Sequence, residues 1–220
     1  MADITLTHDC DIERRPVPLA LNGDFRDTCM DENAPDSAQD VYQIHPGSFG
    51  VKDEEYEHRA LLYFDLKAFI PASATITAAV WHFYVVNLST TGETFRAVRC
   101  RRHDWKEDEA TWNSYKTGSA WTSPGASDTT SDRDTGVVVD FGTINTVGWH
   151  SKDILTLVSD AWANQGGICT FIFEMSSLIA DPTANINVDT KNYYAADPAL
   201  VHHLRITYTL ADRTFQVMVR

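Results

Sequence analysis

The amino-acid sequence predicts an all-β protein, namely an antiparallel β-sandwich of jelly-roll type with one short α-helix. Two observations carry this prediction. Apolar segments of strand length recur along the chain, separated by Gly, Pro and Asn turn signals, whereas only one segment has helical spacing. The 220 residues, of which 43% are hydrophobic and 22% charged, suit one large β domain with a substantial core.

The strand pattern is clearest from residue 59 onward, after a polar and turn-rich part that covers residues 1–58. Residues 59–66 alternate with a period of two, which puts four apolar side chains on one face: Ala60, Leu62, Phe64 and Leu66. Residues 74–86 are apolar on both faces, which is typical of a central strand. The other predicted strands are residues 94–103, 137–141, 168–175 and 204–210, the last with Leu204, Ile206, Tyr208 and Leu210 facing inward.

One short amphipathic helix is predicted between the strands at 137–141 and 168–175. Its apolar residues recur at intervals of three and four: Ile154, Leu155, Val158, Ala161 and Trp162. Ser151 is a suitable N-cap, and Gly166 and Gly167 form a suitable stop. We expect residues 1–210 to form a single β-sandwich domain with a loop-rich N-terminal part. Residues 211–220 are expected to form a C-terminal arm or an edge strand.

The charge balance excludes some classes of partner. Thirty-one acidic residues against 18 basic residues give a formal net charge of −13. A duplex nucleic-acid binder needs a basic face that neutralises phosphates, and anionic lipid attracts basic surfaces, so neither nucleic acid nor membrane is an expected partner. The first residues have no basic start and no apolar stretch, so no secretory signal peptide is predicted.

The cysteines and histidines show no metal-binding or catalytic spacing. The chain contains no C-x-x-C pair, and buried free thiols are expected for Cys10, Cys29, Cys100 and Cys169. A Cys10–Cys29 disulfide is the alternative. His202 and His203 stand at the start of the last predicted strand and are expected to face solvent. No sequence motif of a known hydrolase, kinase or dinucleotide-binding site is present.

The tryptophan segment, residues 104–125, is the most informative part of the chain. It sets Trp105, Trp112 and Trp121 among carboxylates, small polar residues and a Pro-Gly turn. Such rings on loops either close the end of a β-sandwich or offer flat platforms to a ligand.

A basic strand precedes the tryptophan segment. By strand alternation Arg99, Arg101 and His103 share one face, which is suited to the carboxylates of an acidic polysaccharide or of an acidic protein surface. The alternative is that the arginines pair with acids of the chain itself, such as Asp104, Glu107, Asp108 and Glu109.

The acidic loops suggest two kinds of chemistry. Carboxylates 107–109 have the residue types of a general acid and base, but solvated carboxylates at a strand end are the alternative. Calcium is the metal that loop carboxylates favour, and the candidate ligands are Asp9, Asp11, Asp27 and Asp31. Ordinary loop carboxylates are again the alternative. No catalytic residues are predicted, and no other cofactor is expected.

Several segments together resemble the DNRLRE-type domains, which overlap with a family of carbohydrate-binding modules. The most specific are residues 105–113 (WKEDEATWN) with residues 118–125 (GSAWTSPG). The others are RALLYFDL at 59–66 with PASATITAAV at 71–80, AADPAL at 195–200 with LRITY at 204–208, and the helix at 153–167. The resemblance implies a β-jelly-roll that is usually appended to secreted enzymes or surface proteins, and some members bind acidic polysaccharide.

The resemblance also implies different positions for the three tryptophans. Trp105 and Trp112 fall inside the family's structural signature beside a buried strand end, so both are expected to be buried. Trp121 lies between the Gly118 turn and Pro124-Gly125, and we expect it to be an exposed platform and a candidate ligand-binding residue.

These observations predict a non-enzymatic structural or adhesion protein on a carbohydrate-binding-like jelly roll. Without a recognisable signal peptide, its expected place is a bacteriophage virion, as a decoration, capsid or fibre-associated protein, or an extracellular surface. The expected partners are other virion or surface proteins and polysaccharide, within an oligomer or a larger assembly. The alternative is a polysaccharide-binding module that works with a secreted polysaccharide-degrading enzyme.

Overall fold

The computed structural model describes residues 5–12, 25–38, 47–52, 56–88, 94–176, 185–188 and 202–211. The strands are β1 (Thr5–Ile12), β2 (Phe25–Asp31), β3 (Gly47–Lys52), β4 (Tyr56–Asp65), β5 (Ala74–Leu88), β6 (Thr94–Cys100), β7 (Ser114–Lys116), β8 (Ser119–Ala120), β9 (Arg133–Thr143), β10 (Gly148–Asp153), β11 (Ile168–Met175), β12 (Asn185–Val188) and β13 (His203–Ala211). The α-helix α1 spans Leu155–Asn164, and 3-10 turns lie at Leu66–Ala68 and Pro124–Ala126.

Eleven of the described strands form two antiparallel sheets that are joined at one corner, and β7 and β8 form a separate two-stranded sheet, which confirms the predicted β-sandwich with one short helix. The first sheet has the order β1-β13-β5-β12-β3, and β10 also pairs with β5. The second has the order β4-β11-β6-β9, and β2 also pairs with β4. The corner is a short pairing of β3 with β4.

The main core fills the space between the two sheets. The predicted inward residues at the first sequence pattern lie there as expected, namely Ala60, Leu62, Phe64 and Leu66. Leu204 and Ile206 of β13 also lie in this core, and Tyr208 and Leu210 are partly buried against it. Large aromatic side chains dominate this core: Phe64, Trp81, Phe83, Phe95, Phe141, Phe171 and Phe173. Trp81 stacks on Phe83 with ring centroids 4.4 Å apart, and burial of these large rings stabilises the core.

A second, smaller core lies on the outer face of the second sheet. The residues of β4 and β11 that point away from the main core, among them Leu61, Tyr63 and Ile172, are covered by Trp105, Trp112 and Trp121. The tryptophan segment therefore covers a sheet face rather than closing the end of the sandwich. Both faces of β4 are apolar because each face meets a different core.

The helix differs from its prediction at its start. Ser151 belongs to β10, and the residue that holds the first turn is Asp153, whose Oδ1 accepts a hydrogen bond of 2.8 Å from the amide of Leu155. The predicted stop is confirmed, since Gly166 and Gly167 have φ of 65° and 81° directly after the helix. No helix among the described residues is long and apolar enough to cross a membrane.

The prediction of buried thiols is met by Cys100 and Cys169, whereas Cys29 is half-buried. None of these three thiols is in a disulfide, so the alternative Cys10–Cys29 disulfide is wrong. Burial raises the pKa of each of these three thiols to about 12, which keeps them as neutral thiols. The side chain of Cys10 and residues 212–220 of the expected C-terminal arm lie outside the described part of the chain.

Candidate ligand-binding face

Strand β5 is central in its sheet, yet it carries polar rings on its outer side. Its residues alternate, so that Ala79, Trp81 and Phe83 are buried in the main core while His82 and Tyr84 are half-buried on the opposite face. The flanking strands β10 and β13 pair with this part of β5. Side chains of β10 and β13 therefore surround the rings of His82 and Tyr84.

The strand register places three further residues on this outer face. Trp149 of β10 lies opposite Tyr84, and Ser151 lies opposite His82. His203 of β13 also lies opposite His82, on its other side. We call Tyr84, Trp149, His82, His203 and Ser151 the aromatic–histidine face.

The rings of the aromatic–histidine face touch one another. The imidazoles of His82 and His203 are stacked, with centroids 4.6 Å apart and planes at 22°. The indole of Trp149 meets Tyr84 edge to face at 5.6 Å and His203 at 5.7 Å. Trp149 nevertheless keeps 45% of its surface exposed, so one part of its ring is held by neighbours and another part is open to a ligand.

Polar groups lie around these rings. Ser151 Oγ is 2.7 Å from His82 Nδ1, a hydrogen bond between residues 69 positions apart in the chain. Two residues further along the strands, the exposed Asp153 and Arg205 lie on either side of Val80. Flat rings with hydroxyl, imidazole and charged groups at their margin form the usual composition of a site for a polar ligand with an apolar face.

A buried hydrogen-bonded chain supports the face from below. Trp81 Nε1 donates to His202 Nδ1 at 3.1 Å, and His202 Nε2 is 2.7 Å from Asp27 Oδ2. Because an indole nitrogen only donates, the proton of a neutral His202 is on Nε2 and is donated to Asp27. This chain crosses from β5 to β2 in the other sheet. It holds the residue next to His203, which corrects the expectation that His202 faces solvent.

Two of the predicted ligand-binding residues, Arg99 and Arg101, lie close together and form ion pairs with acidic residues of the chain itself. The buried Arg99 forms ion pairs with Asp134 and Asp160, and Arg101 shares Asp134 at 2.8 Å. Burial opposes ionisation of Asp160, but hydrogen bonds from Arg99 and Asn164 outweigh it and lower the pKa of this carboxyl. The prediction of paired arginines is thus confirmed, although the acids differ from those proposed.

The expected shared face of Arg99, Arg101 and His103 does not continue along a strand. Strand β6 ends at Cys100, and its register with β9 shifts after Val98, so alternation stops applying. His103 is half-buried. Burial, aided by the nearby Arg99, lowers the pKa of His103, which disfavours a positive charge there.

The structure corrects the prediction that Trp121 is exposed. Only 4% of its surface is exposed, and its Nε1 donates to the carbonyl of Thr111 at 3.0 Å. The ring packs in the second core at 5.4 Å from Tyr115, so it is not an exposed platform. The outer face of the second sheet needed covering, and burial of a third indole there removes more apolar area from water.

The predicted calcium ligands do not converge within the described side chains. Asp27 is engaged with His202, and Asp31 lies 3.1 Å from His58 Nε2. Among the described residues no group of three or more His, Cys, Asp or Glu is placed to hold a metal ion. Asp9 and Asp11 lie opposite Thr207 and Arg205 in the β1–β13 ladder, but their side chains are outside the described set, and calcium binding stays a prediction.

Sequence reasoning missed the aromatic–histidine face because its members come from three distant strands. One signal was present: Trp149, Ser151 and Asp153 alternate with His150 and Lys152 like an exposed strand. Assigning Ser151 to a helix cap hid that alternation. No protein-family model and no curated protein matches this chain, so the resemblance to DNRLRE-type domains stays a prediction and the functional argument rests on geometry.

Proposed function

We propose that this protein is a non-enzymatic adhesion protein that binds carbohydrate through the aromatic–histidine face. The observation that carries the proposal is the half-exposed indole of Trp149, held edge to face by Tyr84 and His203 on an otherwise polar sheet surface. An exposed large aromatic side chain that neighbouring rings hold in place is costly to leave in water and suits a ligand with a flat apolar side.

A pyranose ring has the required chemistry. Its C–H groups form an apolar face that stacks on an indole, and its hydroxyl groups form hydrogen bonds at the margin. Ser151 and the two imidazoles supply such hydrogen-bonding groups beside Trp149. The rings are fixed on strands of a rigid sheet, so little conformational freedom is lost on binding.

The Ser151–His82 hydrogen bond has the length of a nucleophile–base pair, which makes catalysis the competing proposal. A hydrolase additionally needs a group that orients the base and donors that stabilise an oxyanion. The observed stack of His82 on His203 and the half-exposed indole of Trp149 form a surface of flat rings, which suits a bound sugar directly. We therefore favour binding, and release of reducing sugar from a bound polymer would contradict it.

The first prediction concerns Trp149→Ala. Loss of the stacking surface should weaken binding about tenfold or more, because a stacked aromatic ring contributes about 1–3 kcal/mol. Affinity electrophoresis through gels that contain neutral or anionic glycans measures the effect as reduced retardation. Tyr84→Ala should weaken binding in the same gels.

Val147→Ala is the matched control for Trp149→Ala. Val147 is also a large exposed hydrophobic residue, 54% exposed, and it lies just before β10, outside the aromatic–histidine face. Its retardation should equal that of the wild type. Equal retardation of wild type and Trp149→Ala on every glycan that binds, with matching thermal unfolding curves, would rule out the face as the binding site.

The place of such a protein in a bacteriophage particle remains part of the proposal and rests on the sequence. A carbohydrate-binding sandwich on a virion surface would attach the particle to a glycan-covered cell. The alternative, a module that works with a secreted polysaccharide-degrading enzyme, uses the same face. The two proposals therefore differ in the partner protein rather than in the ligand chemistry.

A further inference from the structure

We infer that protonation of the His82–His203 pair makes the aromatic–histidine face bind anionic glycans more tightly in mildly acidic solution than at pH 8. The inference rests on the proposed function and adds the ligand charge and its regulation. The observation behind it is that two titratable rings, stacked at 4.6 Å, lie in the middle of the face and that one of them, His203, contacts its exposed indole.

Charged residues of both signs flank the pair. Arg205 of β13 and Asp153 of β10 lie two residues along their strands from His203 and Ser151 and have opposite signs, and Asp11 of β1 lies opposite Arg205. Asp153 also accepts the amide of Leu155, which keeps this carboxylate at the start of α1. Lys152 occupies the alternate position of β10, opposite Trp81.

Each proton that the pair takes up makes the local charge more positive. Histidine is the side chain whose ordinary pKa, near 6.5, lies between mildly acidic solution and pH 8. The added charge on His203 lies beside the exposed ring of Trp149, whose centroid is 5.7 Å from that of the imidazole. A carboxylate or sulfate group on a bound sugar gains a charge-assisted partner that it lacks at pH 8.

The second proton is opposed by the first. Two imidazolium rings with centroids 4.6 Å apart repel each other, so the pair should take up its protons in two separate steps. Between these steps the pair carries a single positive charge shared by two rings. The stacked geometry thus favours a singly charged state over a broad interval of pH.

The experiment compares hydroxyethylcellulose and carboxymethylcellulose, which present one backbone without and with anionic groups. Dissociation constants at pH 5.5 and pH 8.0 give the preference for the anionic polymer. We expect this preference to rise about fivefold on acidification in the wild type, the effect of one charge at a partly exposed contact. In the double variant His82→Gln/His203→Gln the preference should be independent of pH.

His150→Gln is the matched control. His150 lies on the same strand but stacks on Phe83 on the opposite side of β10, with ring centroids 5.5 Å apart. This variant also retains the titration of the many carboxylates, so it separates the histidine pair from a general change in net charge. Its preference should rise with acidification as in the wild type.

The outcomes separate the inference from the proposed function. Binding of both polymers with a preference that pH does not change would overturn the inference and leave the proposed function standing. No binding of either polymer at either pH would contradict both. Nitrogen NMR of the ligand-free protein adds a direct readout, since a single shared titration step for His82 and His203 would also overturn the inference.

Discussion

The α-carbon of Gly125 lies against the indole of Trp112 in the second core. A Cβ at this position would come within 2.6 Å of Trp112 Cζ2, and the φ of 69° lies in the left-handed region that disfavours other residues. The carbonyl of the same residue accepts a hydrogen bond from the guanidinium of Arg59. Gly125 therefore has three roles. Its backbone allows the turn, its missing side chain makes room for Trp112, and its carbonyl binds Arg59 of β4.

Gly125→Ala should lower the free energy of unfolding by about 3 kcal/mol, because it combines a steric overlap with an unfavourable backbone conformation. Gly118→Ala is the control, since Gly118 has a similar φ of 73° but no atom within 4 Å of the added methyl group. Its cost should be the conformational part alone, about 1 kcal/mol. Chemical denaturation measures both, and equal losses would contradict the packing argument.

At the scale of elements, a buried ion cluster joins four strands and the end of the tryptophan segment. Glu174 of β11, only 1% exposed, accepts hydrogen bonds from Arg96 of β6 and from Arg133 of β9. Arg59 of β4 lies 3.1 Å from the same carboxylate. Arg59 and Arg133 also donate to the carbonyls of Gly125 and Ala126, respectively, so the cluster holds both the strands and the end of the segment.

Glu174→Gln should therefore destabilise the protein by about 3–5 kcal/mol, because three arginines would keep their charges without the buried carboxylate. Near-ultraviolet circular dichroism during denaturation should show the tryptophan signal lost at lower denaturant than in the wild type. Asp104→Asn is the control. It removes the exposed ion pair with Lys116, which solvent screens, and should leave the unfolding midpoint unchanged. Equal midpoints for Glu174→Gln and the wild type would contradict the structural role of the cluster.

At the scale of the whole molecule, the two sheets have different outer surfaces. The second sheet is covered by the tryptophan segment, whereas the first sheet carries the aromatic–histidine face on β10, β5 and β13. The chain of Trp81, His202 and Asp27 connects the two sheets directly beneath that face. Among the described residues, the half-exposed indole therefore lies on the outer surface of the first sheet.

If the protein is a virion component, antibodies against it should detect a fixed number of copies per particle in density-purified bacteriophage from the source culture. Particles should then lose attachment to glycan-coated surfaces when they carry Trp149→Ala, while Val147→Ala particles retain it. Recovery of the protein only as a free monomer in the lysate would contradict the virion proposal. Glycan binding by that monomer would leave the binding function intact.

The sequence by itself determined the β-sandwich, the faces of its strands and the end of its helix. Alternation in β4 and β13 is a local property, since each side chain's face follows from its position in the strand. The two glycines after α1 likewise stop a helix whatever packs around it. For these features local periodicity and backbone preference agree with the tertiary structure, which is why reasoning from the chain succeeded.

Only the tertiary structure decided where an exposed aromatic surface lies. Trp121 and Trp149 are both indoles in polar surroundings along the chain, yet one is buried beneath a segment and the other stays half exposed. The difference depends on which sheet face is left uncovered and on the register that places Trp149, His82 and His203 side by side. Pairing between distant strands sets that register, and no local pattern encodes it.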